Sequence, residues 1–170
     1  MISEQKDDIR ALEHEKNHLL QVISLFTFFA ILISDFFLLR VAAGFSSFVP
    51  LFIRIALFII VFALGLALNW MSHQALFGEG EGCHDKHEPP ALVTDGVFSH
   101  VRHPMYLSIL LIYLAFILLT VSLVSLIPWV ISIIIYNYLA NYEESELERI
   151  FGKDYLEYKK KVSKWIPRVA

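Results

Sequence analysis

The stretch Val101-Arg102-His103-Pro104-Met105-Tyr106 sets a fixed cation, a titratable imidazole and a phenol beside one proline. Pro104 suits the first turn of a helix, since its φ is already helical and its missing N–H would have had no partner there. Residues 107–119 are almost all apolar, so the helix that starts at Pro104 enters a membrane or a core. Its first backbone N–H groups are unpaired and point back at the preceding loop, which makes an anion site. Arg102 and His103 add a charge and a donor beside it. The plainer use of Arg102 is to anchor a helix at lipid headgroups. A second polar cluster, Asn141-Tyr142-Glu143-Glu144, follows the next apolar run and supplies two carboxylates.

The elements between these clusters decide whether they meet. Residues 105–119 are apolar, Thr120, Ser122 and Ser125 weaken the pattern, and residues 126–139 are apolar again with Pro128 near their start. Residues 104–142 therefore read as a helical hairpin turning near residue 121. Fifteen apolar residues at ~1.5 Å each fall short of a ~30 Å hydrocarbon core, so the hairpin is expected to cross part of the bilayer or to tilt. Positions equally far from the turn lie side by side, which returns residue 103 to about residue 139, within a turn of helix. Arg102, His103 and Tyr106 are then expected to face Asn141, Tyr142, Glu143 and Glu144 at one membrane surface. Mixed donors and acceptors closing on a loop suit a small-molecule site.

Composition supports membrane insertion. Hydrophobic residues make up 56% of the 170 and charged ones 18%, the latter gathered at both ends and in one loop. Soluble domains run at roughly 45–50% apolar and about 25% charged. The net charge of −3 gives no electrostatic support for a nucleic-acid partner. Cys83 is the one cysteine, so no internal disulfide forms.

Three organisational units are expected. Residues 1–18 form a charged, solvated leader helix, unlike the short basic start of a cleaved signal peptide. Residues 19–71 form a two-span anchor, with spans over 19–39 and 48–71 joined by a turn containing Gly44, Ser46 and Ser47. Asp35 lies inside the first span, where an acid is costly, and Arg40 or Arg54 is its expected partner. Residues 72–170 hold the loop, the hairpin and a C-terminal amphipathic helix. In that helix Leu147, Ile150, Phe151, Tyr155, Tyr158 and Val162 recur at helical spacing, and Gly152 marks a break. Trp165 among Lys159, Lys160, Lys161, Lys164 and Arg168 suits an anionic membrane face. Lys and Arg number three in residues 1–18, two in residues 72–104 and seven after residue 144, against Arg40 alone in the opposite turn. This places both termini and the long loop in the cytoplasm. The fold class is thus an all-α integral membrane protein with about four membrane helices, the last two a hairpin, and a C-terminal cytoplasmic helix.

The loop before Pro104 carries Gly78, Gly80, Gly82, Pro89 and Pro90. Cys83, His84 and His87 supply at most three metal ligands there, and no second pair stands at a standard zinc spacing, so no metal site is assigned. Val93-Thr94 then Asp95-Gly96 reads as a short extended piece and a tight turn that delivers Phe98 and His100 to the next helix.

LVTDGVF, VRHPMY, YEESEL, FGKDYLEYKKKV and a closing WIP, in this order and spacing over residues 90–167, resemble the isoprenylcysteine carboxyl methyltransferase family. Phospholipid N-methyltransferases share a looser version. The resemblance implies S-adenosylmethionine as methyl donor, and a cofactor pocket formed by Pro90, Ala91, Leu92, Val93, Phe98, His103, Pro104, Met105, Tyr106 and Glu143. The cofactor's carboxylate would suit the helix start at Pro104 with Arg102 or His103 nearby, and Glu143 would accept from its ammonium or ribose. His103 and Glu144 are the candidate bases for a thiol or amine acceptor. The family carries His where Pro90 stands and Tyr where Phe98 stands. It also has an Arg four residues before the pocket glutamate, where this chain has Leu139, so an anionic carboxylate acceptor loses its obvious partner. The expected acceptor is lipophilic: an isoprenylcysteine-type carboxylate, a thiol or a lipid amine. Two other readings compete: an NADPH-dependent reductase of the sterol-reductase type, which usually has Gly-Asp where Leu107-Ser108 stands, and a non-catalytic membrane adaptor using the terminal helices.

Overall fold

A computed structural model of the chain describes residues 2–39, 48–77 and 92–167, with side chains from residue 13 onward apart from residue 14. The described residues are helical, with one isolated β-bridge between Val101 and Ser163. Helix α1 covers Ile2–Ser34 and runs on through a π-helical turn, Asp35–Leu39. Helix α2 covers Leu51–Phe77, α3 Pro104–Thr120, α4 Leu126–Phe151 and α5 Lys153–Lys161, with a single 3-10 turn at Gly96–Ser99 before α3.

Two stretches are long and apolar enough to cross a membrane, Glu15–Leu38 in α1 and Leu51–Leu76 in α2. Helix α3 is apolar but has 17 residues. The expectation of about four spans is therefore met by length and composition for two. The leader expected at residues 1–18 is helical from Ile2 and runs without a break into the first span as α1. The hairpin's second arm also runs past its expected end at residue 142. Helix α4 continues to Phe151, since Glu143, Glu144 and Glu146 are good helix formers. It stops at Gly152, whose φ of +55° lies in the left-handed region open to glycine.

Packing follows two seams. Helix α2 lies along α3, where Gly65 lets the backbones approach: a Cβ there would stand 2.9 Å from Ile112 Cγ1 and 3.2 Å from the Ser108 carbonyl. Asn69 donates to Ser108 Oγ at 3.1 Å, and Phe58, Phe62 and Phe116 pack edge to face or stack across the same seam. Small residues and interhelical hydrogen bonds are the forces left to hold helices together where lipid replaces water. Helix α1 lies on α4. Ser24 and Ser132 hydroxyls meet at 2.8 Å, and Phe28 of α1 stacks on Tyr113 of α3 at 4.2 Å. The core of Phe28, Leu32, Tyr106, Leu110, Tyr113, Tyr136, Leu139 and Ala140 sits among α1, α3 and α4. Apolar side chains on the outer faces, such as Phe26, Ile60, Leu64 and Ile134, are left exposed, as lipid contact permits.

At the hairpin turn Val121 takes a left-handed conformation, φ 54°, and ends α3. Ser122 donates to the fully buried Asp35 and meets Ser125 Oγ at 2.7 Å. Arg54, one of the expected partners of Asp35, instead donates from Nη1 to the Leu119 carbonyl at 3.4 Å. Arg40, Gly44, Ser46 and Ser47 lie outside the described residues.

Candidate functional site

The hairpin brings the two polar clusters together. Residues 102–106 come from the strand-like approach and first turn of α3, and residues 143–147 from the part of α4 just past its apolar run. Arg102 is clamped from below by the tail: its N–H donates to the Ser163 carbonyl at 2.9 Å and its Nη1 to the Lys159 carbonyl at 2.9 Å. Its Nη2 lies 3.0 Å from Glu144 Oε1. The imidazole of His103 lies between two carboxylates, Nε2 3.1 Å from Glu144 Oε1 and Nδ1 3.5 Å from Glu143 Oε2. Tyr106 donates its phenol proton to Glu143. Lys159 closes the cluster with Nζ 2.9 Å from Glu144 Oε2 and 2.6 Å from Glu148 Oε1.

The electrostatics separate the two glutamates. Burial alone would raise the Glu144 carboxyl, but hydrogen bonds from His103 and Lys159, with the charges of Arg102 and Lys159, hold it down to about 2. Such a carboxylate stays ionised at neutral pH, and Glu144, expected as a candidate base, is in contact with Arg102 and His103. Burial by itself would lower His103. Hydrogen bonds to Glu143 and Glu144 and their charges outweigh it, so the imidazole sits above its ordinary 6.5. The Glu143 side chain is 47% exposed, whereas that of Glu144 is 5% exposed. Glu143 is thus the acid left open to a ligand.

A cavity of about 380 Å³ opens against this cluster. Arg102, His103, Pro104, Met105, Tyr106 and Glu143 form its polar end, and Phe98, Leu76, Ile109 and Leu147 its apolar walls. Its size falls within the ~300–1,000 Å³ of small-molecule sites. No side chain caps the start of α3, so its first N–H groups keep their partial positive charge, and Met105 and Tyr106 of that first turn line the cavity. A smaller cavity of about 150 Å³ adjoins it, sharing Leu76, Phe98, Arg102 and Leu147 and adding Leu92 and Val93. The Phe98 carbonyl accepts from Tyr158 of α5 at 2.7 Å, which ties the 3-10 turn to the C-terminal helix.

Of the residues expected at the site, Leu92, Val93, Phe98, Arg102, His103, Pro104, Met105, Tyr106 and Glu143 line one or both cavities. Pro90 and Ala91, like Cys83, His84 and His87, lie outside the described residues. Asn141, expected to face Arg102, turns instead to the tail and accepts from Lys164 at 2.6 Å. Lys164 and Trp165, expected to meet the membrane face, fold back on the site. Trp165 donates to Asn137 Oδ1 at 3.3 Å and its ring lies 5.9 Å from that of His103.

Three contributors escaped the sequence reading. Gln21 of α1 lines the larger cavity and stands 3.5 Å from the Tyr106 hydroxyl; its signal was an amide inside an apolar run. Leu76 of α2 had no signal, being one apolar residue among many. Lys159 was read as part of a basic surface, and nothing in a lysine run marks the member that turns inward.

Comparison with curated proteins returns no match. Residues 53–154, more than half of the chain, match the family described as phospholipid methyltransferase, and the match takes in the end of the loop, the α3–α4 hairpin and both polar clusters. By that match the chain belongs to the phospholipid methyltransferase family, which includes the isoprenylcysteine methyltransferases.

Proposed function

We propose that this chain is a membrane-embedded methyltransferase that draws its methyl group from S-adenosylmethionine and delivers it to a lipophilic acceptor. One observation carries the reading: His103, Tyr106 and Glu143, from the two arms of one hairpin, converge on a cavity that is polar at one end and apolar at the other. The residues fit the cofactor. Glu143 offers a half-exposed carboxylate to an ammonium or to ribose hydroxyls, and the uncapped start of α3 offers backbone donors to a carboxylate. Phe98, Leu92, Val93 and Leu147 offer apolar surface to an aromatic ring.

When bound, the cofactor supplies a sulfonium methyl, which passes to the acceptor's lone pair as the S–C bond breaks and leaves a neutral thioether. The chain's part in such an in-line displacement is to position both reactants and exclude water. Arg102 and Glu144 form a rigid base under His103. Tyr106 holds Glu143 toward the cavity, and Gln21 braces Tyr106 from α1. Leu76 and Ile109 line the side nearest the membrane helices, so an acceptor's chain enters laterally from lipid. The acceptor is an isoprenylcysteine-type carboxylate, a thiol or a lipid amine. Leu139 is 1% exposed and provides no cation for a carboxylate, which weights the choice toward the latter two. The lysine and arginine count supports a cytoplasmic setting for this end of the bundle and both termini.

The test is binding of labelled S-adenosylmethionine in detergent, followed by label transfer to extracted native lipids. Wild type binds and labels a lipid, and Glu143→Ala loses at least ~10-fold in affinity, the loss of a charged hydrogen-bond partner. Unchanged affinity in that variant removes the pocket as drawn, and absence of any labelled lipid removes the acceptor class.

A further inference from the structure

At the opposite end of the bundle a second, larger groove of about 480 Å³ lies between the end of α1, the start of α2 and the end of α3. Its lining is Leu32, Ile33, Phe36, Phe37, Leu51, Arg54, Leu119 and Thr120. The length of α3, 17 residues at ~1.5 Å each, separates it from the His103 cavity by roughly 25 Å. Ile33, Phe36, Phe37 and Leu51 are all more than half exposed, so the groove opens to lipid.

Arg54 is anomalous in that setting. Its guanidinium makes one long hydrogen bond, from Nη1 to the Leu119 carbonyl at 3.4 Å. Its Nε is buried without an acceptor, and no carboxylate among the described residues lies within ion-pair distance. Thr120, the other polar side chain of the groove, spends its hydroxyl on the Phe116 carbonyl at 2.9 Å. A guanidinium in an apolar, membrane-facing groove is costly without a counter-charge. No described residue supplies the anion, and each leaflet of a bilayer offers one, the phosphodiester of a glycerophospholipid. Guanidinium and phosphate pair through two parallel N–H bonds, and the first turn of α2, starting at Leu51, adds its partial positive charge.

We propose that this groove is a phospholipid-binding site of the far leaflet, separate from the His103 cavity, with Arg54 on the phosphate and one acyl chain along Ile33, Phe36 and Leu51. The occupant is a glycerophospholipid, recognised by phosphate and chain together.

The experiment is lipid retention measured by native mass spectrometry on the full chain in detergent. The probes are a phosphatidylglycerol, a diacylglycerol with the same chains and soluble glycerol phosphate. Wild type retains phosphatidylglycerol. Arg54→Gln weakens it about tenfold, the factor of a charged hydrogen bond, and Arg54→Lys weakens it less. Diacylglycerol binds wild type no better than phosphatidylglycerol binds Arg54→Gln, and glycerol phosphate is not retained. Leu51→Trp, at an exposed position, narrows the groove with Arg54 intact and lowers retention, which guards against a folding defect in the Arg54 variants. Equal retention by wild type and Arg54→Gln, equal retention of lipid and diacylglycerol, or full retention by Leu51→Trp overturns the proposal. So does loss in Glu143→Ala with retention in Arg54→Gln, which would put the lipid in the other cavity.

Discussion

The guanidinium of Arg102 and the carboxylate of Glu144 meet at 3.0 Å, with both side chains no more than 10% exposed. The contact joins the approach to α3, two residues before Pro104, to the last buried turn of α4, and Lys159 completes it from α5. Three elements are pinned through one carboxylate. Removing it leaves Arg102 Nη2 and His103 Nε2 without that acceptor, while Arg102 keeps the Lys159 carbonyl and Lys159 keeps Glu148. Breaking a buried pair from one side costs ~3–5 kcal/mol. Glu144→Ala is therefore expected to lower thermal stability in detergent by an amount in that range, and Glu144→Gln by less, because its amide oxygen still accepts. Unfolding curves of the two variants check the order.

Tyr106 and Glu143 form the contact that turns an exposed acid toward the cavity. Tyr106→Phe removes the donor and leaves the ring, which keeps its place beside Tyr136 at 5.2 Å. The variant is expected to stay folded and to bind S-adenosylmethionine ~2- to 10-fold more weakly, the worth of one hydrogen bond. Titration of labelled cofactor against the variant reads this directly.

The pH dependence follows from two opposite shifts. His103 is raised, so the stability its pairing gives is fully present below about 6.5, the unfolded value, and is lost as pH rises through its folded value. Glu144 is depressed to about 2, so its contribution is present above about 4.5 and lost as pH falls toward 2. Between these limits the cluster is at its strongest. His103→Gln is expected to flatten the alkaline decline in melting temperature between pH 6 and 9 and to leave the acid limb, which a pH series on both proteins tests. If His103 takes the acceptor's proton, the rate of methyl transfer rises with pH through the same folded value, above 6.5.

Gly65 sets how closely α2 approaches α3. Gly65→Leu would push a side chain into Ile112 and the Ser108 carbonyl, and overpacking of this kind costs ~1–3 kcal/mol. The expected result is a lower melting temperature and weaker cofactor binding, because Leu76 on the same helix lines the cavity. Adding Ile112→Ala to Gly65→Leu should restore part of the loss, since the 2.9 Å contact is with that side chain.

The chain's own order of residues settled much of this. Runs of apolar residues set the helices, because backbone groups in lipid must be paired within the segment. Pro104 and Gly152 marked a helix start and a helix end, because each restricts or frees φ locally. The meeting of residues 102–106 with residues 143–144 followed from counting back from a turn of serines, since a helical hairpin leaves little freedom in register. Tertiary structure alone decided the rest. Whether Gln21, Leu76 or Lys159 faces the site depends on how each helix is rotated against its neighbours, and that rotation is set by contacts between residues far apart in sequence, such as Ser24 with Ser132 and Asn69 with Ser108. Local periodicity cannot carry it when every face of a membrane helix is apolar, because lipid and neighbouring helices accept the same side chains.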